Sequence, residues 1–312
     1  MNKMNLLAAA ILLTACPAAL SADSAAPPPA VPTAPALTAP VTPVTPAVTL
    51  RLKFTPGQTL YYTMTVDTDG MMQMGQTGAG MPLKNHMTML IRQAVKDVRA
   101  SDGAATIDTG IDSMTMAVNG QTFPMPPDQL AKMKSVGTLV ILPTGKTLSF
   151  TPNPALANSG AMPGMSMNQA NPFGTMGQFP DAPVKAGDTW KSALNMGMMG
   201  MQATSGFTLT GVDTTGGKTV ALIAQTMTGT FDMAGGKSAA PTGMKMLEKV
   251  AGTGTLHFDV DAGAIESQTS QSNVTMSITP QGATAPMQMQ MKATTTMQRT
   301  TAPAPPSAAA VQ

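Results

Sequence analysis

Residues 86–118 read HMTMLIRQAVKDVRASDGAATIDTGIDSMTMAV. Two β-rich runs, His86 to Val98 and Ala104 to Val118, flank Arg99-Ala100-Ser101-Asp102-Gly103. Asp-Gly between such runs signals a hairpin, because glycine accepts positive φ without a clash. Working outward, Val48 to Phe54 alternates apolar and polar residues, the period of a half-buried strand. A Pro56-Gly57 turn leads to a second strand from Thr59 to Asp67. Gly137 to Leu142 and Lys146 to Phe150 flank Pro143-Thr144-Gly145, another hairpin.

The same order then recurs. Ala186-Gly187-Asp188-Thr189-Trp190 echoes Pro56-Gly57-Gln58-Thr59-Leu60. Phe207 to Asp213, the turn Thr214 to Gly217, and Lys218 to Asp232 echo the Asp-Gly hairpin. Leu130 to Leu139 is echoed by Met246 to Val250 and Gly254 to Leu256; both segments follow prolines and predict a short helix before a strand. Asp261-Ala262-Gly263 marks a final hairpin, and Thr284 to Arg299 a last strand. The expected fold is mainly β: an antiparallel, strongly curved sheet or half-barrel of two similar halves with a few short helices.

The flanks differ in composition. Met1 to Cys16 reads MNKMNLLAAAILLTAC: Lys3 gives a charged n-region, and the apolar run falls far short of the about 20 residues that span a bilayer. Leu13-Thr14-Ala15-Cys16 resembles the bacterial lipobox, which implies cleavage before Cys16 and acylation of that residue, the single cysteine of the chain. The expected organisation is a lipoprotein signal peptide (1–15), a Pro/Ala/Thr-rich tether (16–47), a β domain (48–299) and a disordered tail (300–312). Within the domain, 48–150 is the first half and 184–299 the second. Residues 151–183, rich in Pro, Asn, Gly and Met, read as a flexible loop.

PGQTLYY (56–62), SDGAATIDTGIDSM (101–114), FPDAPVKAGDTW (179–190) and GTGTLHFDVDAGAIES (252–267) together resemble a family of bacterial exported proteins, often lipoproteins, with no established activity. That resemblance implies no catalytic residue. In architecture the chain is also loosely similar to the half-barrels of bacterial lipoprotein carriers.

Composition narrows function. Only 11% of the 312 residues are charged and the formal net charge is +2, without a basic cluster, so a nucleic-acid partner is not expected. No HExxH or GxSxG occurs, and His86 and His257 lie in strand patterns away from a candidate nucleophile. Gly211 to Thr219 approaches a P-loop, but Val212 stands where the first glycine should be, and a β-branched strand follows instead of a helix. The acid pairs Asp67/Asp69, Asp108/Asp112 and Asp259/Asp261 read as solvated turn carboxylates. The expected protein is not an enzyme and needs no cofactor.

Methionine is the exception, with 30 residues against 4% aromatics. Met72/Met74, Met87/Met89, Met114/Met116, Met165/Met167 and Met287/Met289/Met291 are spaced by two, and residues two apart in a strand share a face. Three readings compete: an apolar core face, an adaptable lining for a lipid or acyl ligand, and a soft-metal site. For the last, Met162, Met165, Met167, Met196, Met198, Met199 and Met201 look like the clusters of periplasmic copper proteins, since thioethers select Cu(I). The favoured reading is a lipid-anchored cell-envelope protein, in the outer membrane facing the periplasm. It acts as a binding or scaffold module, with the membrane and a hydrophobic small molecule as partners. A Cu(I) binder and an undetected hydrolase remain alternatives.

Overall fold

A computed structural model describes residues 47–72, 81–154, 177–196, 201–232, 245–279 and 287–302. In chain order it contains β1 (Thr59–Met72), β2 (Met81–Val98), β3 (Ala105–Val118), β4 (Gln121–Pro124), α1 (Pro127–Met133), β5 (Gly137–Ile141) and β6 (Thr147–Pro152). These are followed by β7 (Thr189–Met196), β8 (Met201–Asp213), β9 (Val220–Asp232), β10 (Lys245–Asp259), β11 (Ala264–Thr279) and β12 (Met287–Thr300). All belong to one twelve-stranded antiparallel sheet, in the order β6-β5-β3-β2-β1-β12-β11-β10-β9-β8-β7, with β4 paired to β3. Each half is a meander. The first winds outward from β1, the second winds inward to β12, and the halves join where β1 pairs with β12. The sheet is not closed: β6 and β7 are its edges.

The Asp-Gly turn forms as expected, with Gly103 at φ 71° and Asp102 accepting from the Ala104 amide. Arg99 grips the same carboxylate at 2.6 and 2.8 Å. These contacts close the β2–β3 hairpin; with the register shifts at Val95/Asp97 and Leu90/Ile91, the ladder places Met89 opposite Met114 and Met87 opposite Met116.

Curvature follows from what fills one end. Val48–Phe54 is extended and buries Val48, Leu50 and Leu52, as its alternation predicts, but it joins the sheet in no ladder. It crosses the sheet's end instead, bonding through Val48 to Val184, through the Leu52 amide to the Pro143 carbonyl, and through the Lys53 amide to the Gly263 carbonyl. Its partners are scattered among distant turns, so no single strand can pair along it. The 151–183 expectation is corrected at both ends. Thr151 and Pro152 complete β6, while Gly177 is buried and Phe179 is 1% exposed. A Cβ at Gly177 would lie 2.8 Å from Ser192 and 2.9 Å from the Phe207 ring, and one at Gly145 would lie 2.9 Å from the Gly177 carbonyl. The β5–β6 turn and the β7–β8 edge therefore converge on Gly177, which curls the sheet. Residues 155–176, the centre of that expected loop, lie outside the described residues, as do 1–46 and 303–312.

The echoed helix is also corrected. Leu130–Met133 falls in α1, but Met246–Val250 lies within β10 and pairs with β9 and β11. Neighbours on both sides supply ladder bonds there. α1 has a different support: it seats its Lys134 carbonyl against Gly110 on the outer face of β3, where a Cβ would collide with it.

Candidate functional site

The inner face is organised in cross-strand rows. One row runs Leu209, Ile223, Leu256 and Gln268 across β8 to β11, then Met297, Met64, Met89 and Met114 across β12, β1, β2 and β3. Apart from half-buried Met64, every member is buried. Of the methionines spaced by two, Met87 and Met89 meet Met116 and Met114, and Met289 meets Met276, whereas Met287 and Met291 lie opposite Ile278 and Val274; Met74, Met165 and Met167 lie outside the described residues.

The next row begins with Trp190, stacked on Phe207 at 5.4 Å between centroids, and continues through Gln225, Gly254, Ser270 and Thr295. It crosses Val66, Met87 and Met116 and ends on Phe123, which is 44% exposed. A third row holds Met227, Gly252, Ser272, Ala293, Thr68 and Asn85, all half-buried. Facing sheet layers pack about 10 Å apart, a span that glycine, serine and alanine cannot fill. The inner face thus changes from a packed girdle to half-buried rows, with Met87 and Met116 on β2 and β3 and glycine, serine and alanine on β10 to β12.

Deep beside the girdle sits a polar patch. Gln93 on β2 lies opposite Leu60 on β1 and Thr109 on β3, and Tyr62 is Gln93's diagonal neighbour. Tyr62 and Gln93 are fully buried and Thr109 is 1% exposed. Among the described residues, the Tyr62 hydroxyl, both Gln93 amide atoms and the Thr109 Oγ1 have no hydrogen-bond partner. Each such orphan costs about 1–3 kcal/mol. Burial raises the pKa of the Tyr62 phenol well above its usual range, against a smaller opposing effect of Arg299.

The outer face carries charge. Arg92 lies 3.7 Å from Asp108 and 3.5 Å from Asp112, and Lys134 reaches Asp112 at 3.2 Å. Asp108 and Asp112 are 19% and 15% exposed, so they are half-buried braces under the end of α1 and not solvated turn acids. Arg299, opposite Tyr62 and two residues from Met297, belongs instead to the inner face, where it lies 3.2 Å from Asp259; that carboxylate, 5% exposed, also accepts from the Ala262 amide.

Elsewhere on the outer face the His86 Nδ1 is 2.7 Å from Asp67 and its Nε2 is 3.3 Å from the Thr88 hydroxyl. The sequence reading placed no nucleophile beside His86; a hydroxyl two residues along the same strand face is the signal it passed over. Asp67, Asp69, Lys84 and His86 border a depression of about 280 Å³. This acid–imidazole–hydroxyl relay lies on β1 and β2, each paired on both sides, so ladder bonds take up the amides that could hold an oxyanion.

Of the methionines weighed for copper, Met196 ends β7 and pairs with Met201, which begins β8. Met162, Met165, Met167, Met198 and Met199 lie outside the described residues, as does Cys16. Among the described residues no group of three or more His, Cys, Asp or Glu can hold a metal, and no helix is long and apolar enough to cross a membrane. His257 is exposed on β10, and Gly211–Thr219 is a hairpin connection that runs from β8 through a short 3-10 turn towards β9.

No family model matches the chain, and no curated protein matches it. Among solved structures, the chain is similar to lipovitellin, in a structure of its lipid–protein interactions, with 10% identity and a TM-score of 0.44 over 83% of this chain and 27% of that one. It is also similar to an outer membrane channel from Pseudomonas putida F1, with 7% identity and a TM-score of 0.23 over 80% of this chain and 98% of that one. The chain thus spans about a quarter of the length of lipovitellin. At these scores the likenesses carry no weight for function.

Proposed function

We propose that the chain is a non-enzymatic, lipid-anchored protein of the cell envelope that holds a lipid or acyl ligand against the inner face of its curved sheet. The supporting observation is the passage from the girdle of buried Met89, Met114 and Met297 with half-buried Met64 to the half-buried row at Thr68, Asn85, Ser272 and Ala293. Methionine side chains are flexible and polarisable and accommodate irregular apolar shapes. Binding sites combine an apolar lining with a few convergent polar groups; we read the half-buried rows as such a trough, with Met87, Met116 and Met227 as its apolar part and Thr68, Asn85 and Ser272 as its polar groups. Acylation at Cys16 is the attachment, at the outer membrane facing the periplasm, with the 16–47 tract as tether.

Native mass spectrometry of the full chain purified from its membrane fraction tests the ligand. A mass increment that extracts into organic solvent as lipid supports the reading. An unliganded chain, or one carrying copper, overturns it. Cys16→Ala tests the anchor: radiolabelled palmitate should no longer enter the protein, and persistence of label would assign the acylation elsewhere.

A further inference from the structure

We propose that the Tyr62–Gln93–Thr109 patch is the seat for the polar head of an amphiphile, and that the head is uncharged and rich in hydroxyl or amide groups. The inference rests on the ligand-holding trough proposed above and specifies the chemistry that enters it. The patch gathers, from three side chains at most 1% exposed, four polar atoms without partners among the described residues. Gln93 and Thr109 are directly opposite each other, and Tyr62 lies diagonally across the next pair of strands. All three share the face that carries the methionine girdle, because Tyr62 and Met64 are two residues apart on β1, as are Met89, Ile91 and Gln93 along β2.

An apolar ligand leaves these atoms as costly as before. A ligand with hydroxyls satisfies them, because the Gln93 amide offers a donor and an acceptor and the Tyr62 and Thr109 hydroxyls offer both. The charge state of the head follows from the surroundings. Arg299, opposite Tyr62 on β12, is already paired with Asp259 at 3.2 Å, so the cation beside Tyr62 offsets little of the desolvation of a carboxylate or phosphate here. Length is consistent with one acyl chain. From Gln93 to Asn85 at the half-buried row is eight residues of β2, about 26 Å at 3.3 Å per residue. The path between them passes fully buried Ile91 and then Met89 and Met87, of which the two methionines can yield without a fixed packing. A monoacylglycerol has the required form: one tail and a neutral diol head.

The test is calorimetric titration of the full chain with 1-monooleoylglycerol and with 1-octadecene, each delivered from cyclodextrin, for the wild type, Tyr62→Phe and the double variant Gln93→Met/Thr109→Val. The wild type should bind the monoacylglycerol about tenfold or more tighter than the hydrocarbon. The variants should keep hydrocarbon binding and lose the preference, and should unfold at equal or higher urea because orphaned polar atoms are gone. Equal wild-type affinity for the two probes, or a preference unchanged in both variants, would overturn the polar seat while leaving the trough intact; the orphans would then be served by internal water. Binding of neither probe would overturn the trough itself. Should the double variant fail to fold, Tyr62→Phe, which removes a single oxygen, decides between these outcomes.

Discussion

Phe179 meets Phe258 edge-on, with ring centroids 4.9 Å apart and planes inclined at 63°. This contact ties the connection between the two halves to β10, on the inside of the curled sheet. Both rings are at most 1% exposed.

Phe179→Ala should therefore cost about 3–5 kcal/mol, the usual range for deleting a buried ring. Urea denaturation followed by circular dichroism measures it. A midpoint equal to the wild type would mean that the 177–184 segment contributes nothing to the core.

The methionine girdle gives a second prediction. Met89 is fully buried between Met64 and Met114. Met89→Leu should cost less than about 1.5 kcal/mol, because the volumes are similar. Met89→Ala should cost about 2–5 kcal/mol, because a cavity is left. The same denaturation series checks both, and similar losses for the two variants would contradict a packed girdle at this row.

How much of this was legible without coordinates depended on distance along the chain. The turns at Asp102-Gly103 and Asp261-Ala262-Gly263 are local: glycine at φ 71° and 61° fixes each, and the strands on either side follow. The alternation of Val48, Leu50 and Leu52 foretold their burial but not their partners, which sit in turns around residues 143, 184 and 263. Phe179 was hidden in a Pro/Gly/Met-rich run whose composition resembles a linker. Met87/Met89 and Met114/Met116 announced shared faces, yet their alignment depends on the β2–β3 register, including its shift at Leu90/Ile91. The Tyr62–Gln93–Thr109 patch escaped entirely, because a glutamine and a threonine in strands ordinarily read as outward-facing.

The Asp102–Arg99 clasp predicts a pH response at the β2–β3 turn. Hydrogen bonds from Arg99, then from the Ala104 amide, lower the Asp102 pKa to about 2. Its folded pKa lies below the ordinary carboxylate value, so its stabilisation is complete above about pH 4 and is lost as pH falls towards 2. A carboxylate-resolved NMR titration should find the Asp102 midpoint near 2, and Arg99→Gln should move it up towards the ordinary range. A wild-type midpoint near 4 would mean the clasp does not hold in solution.

The trough itself can be read through the chain's single tryptophan. Trp190 is half-buried on the inner face of β7, in the row that continues to Val66 and Met87. A monoacylglycerol brominated midway along its acyl chain quenches indole fluorescence on close approach. Titrated into the folded full chain, it should quench Trp190 saturably, while the unbrominated lipid competes the quenching away. Fluorescence that falls only linearly with added lipid, with no competition, would contradict ligand binding at the inner face.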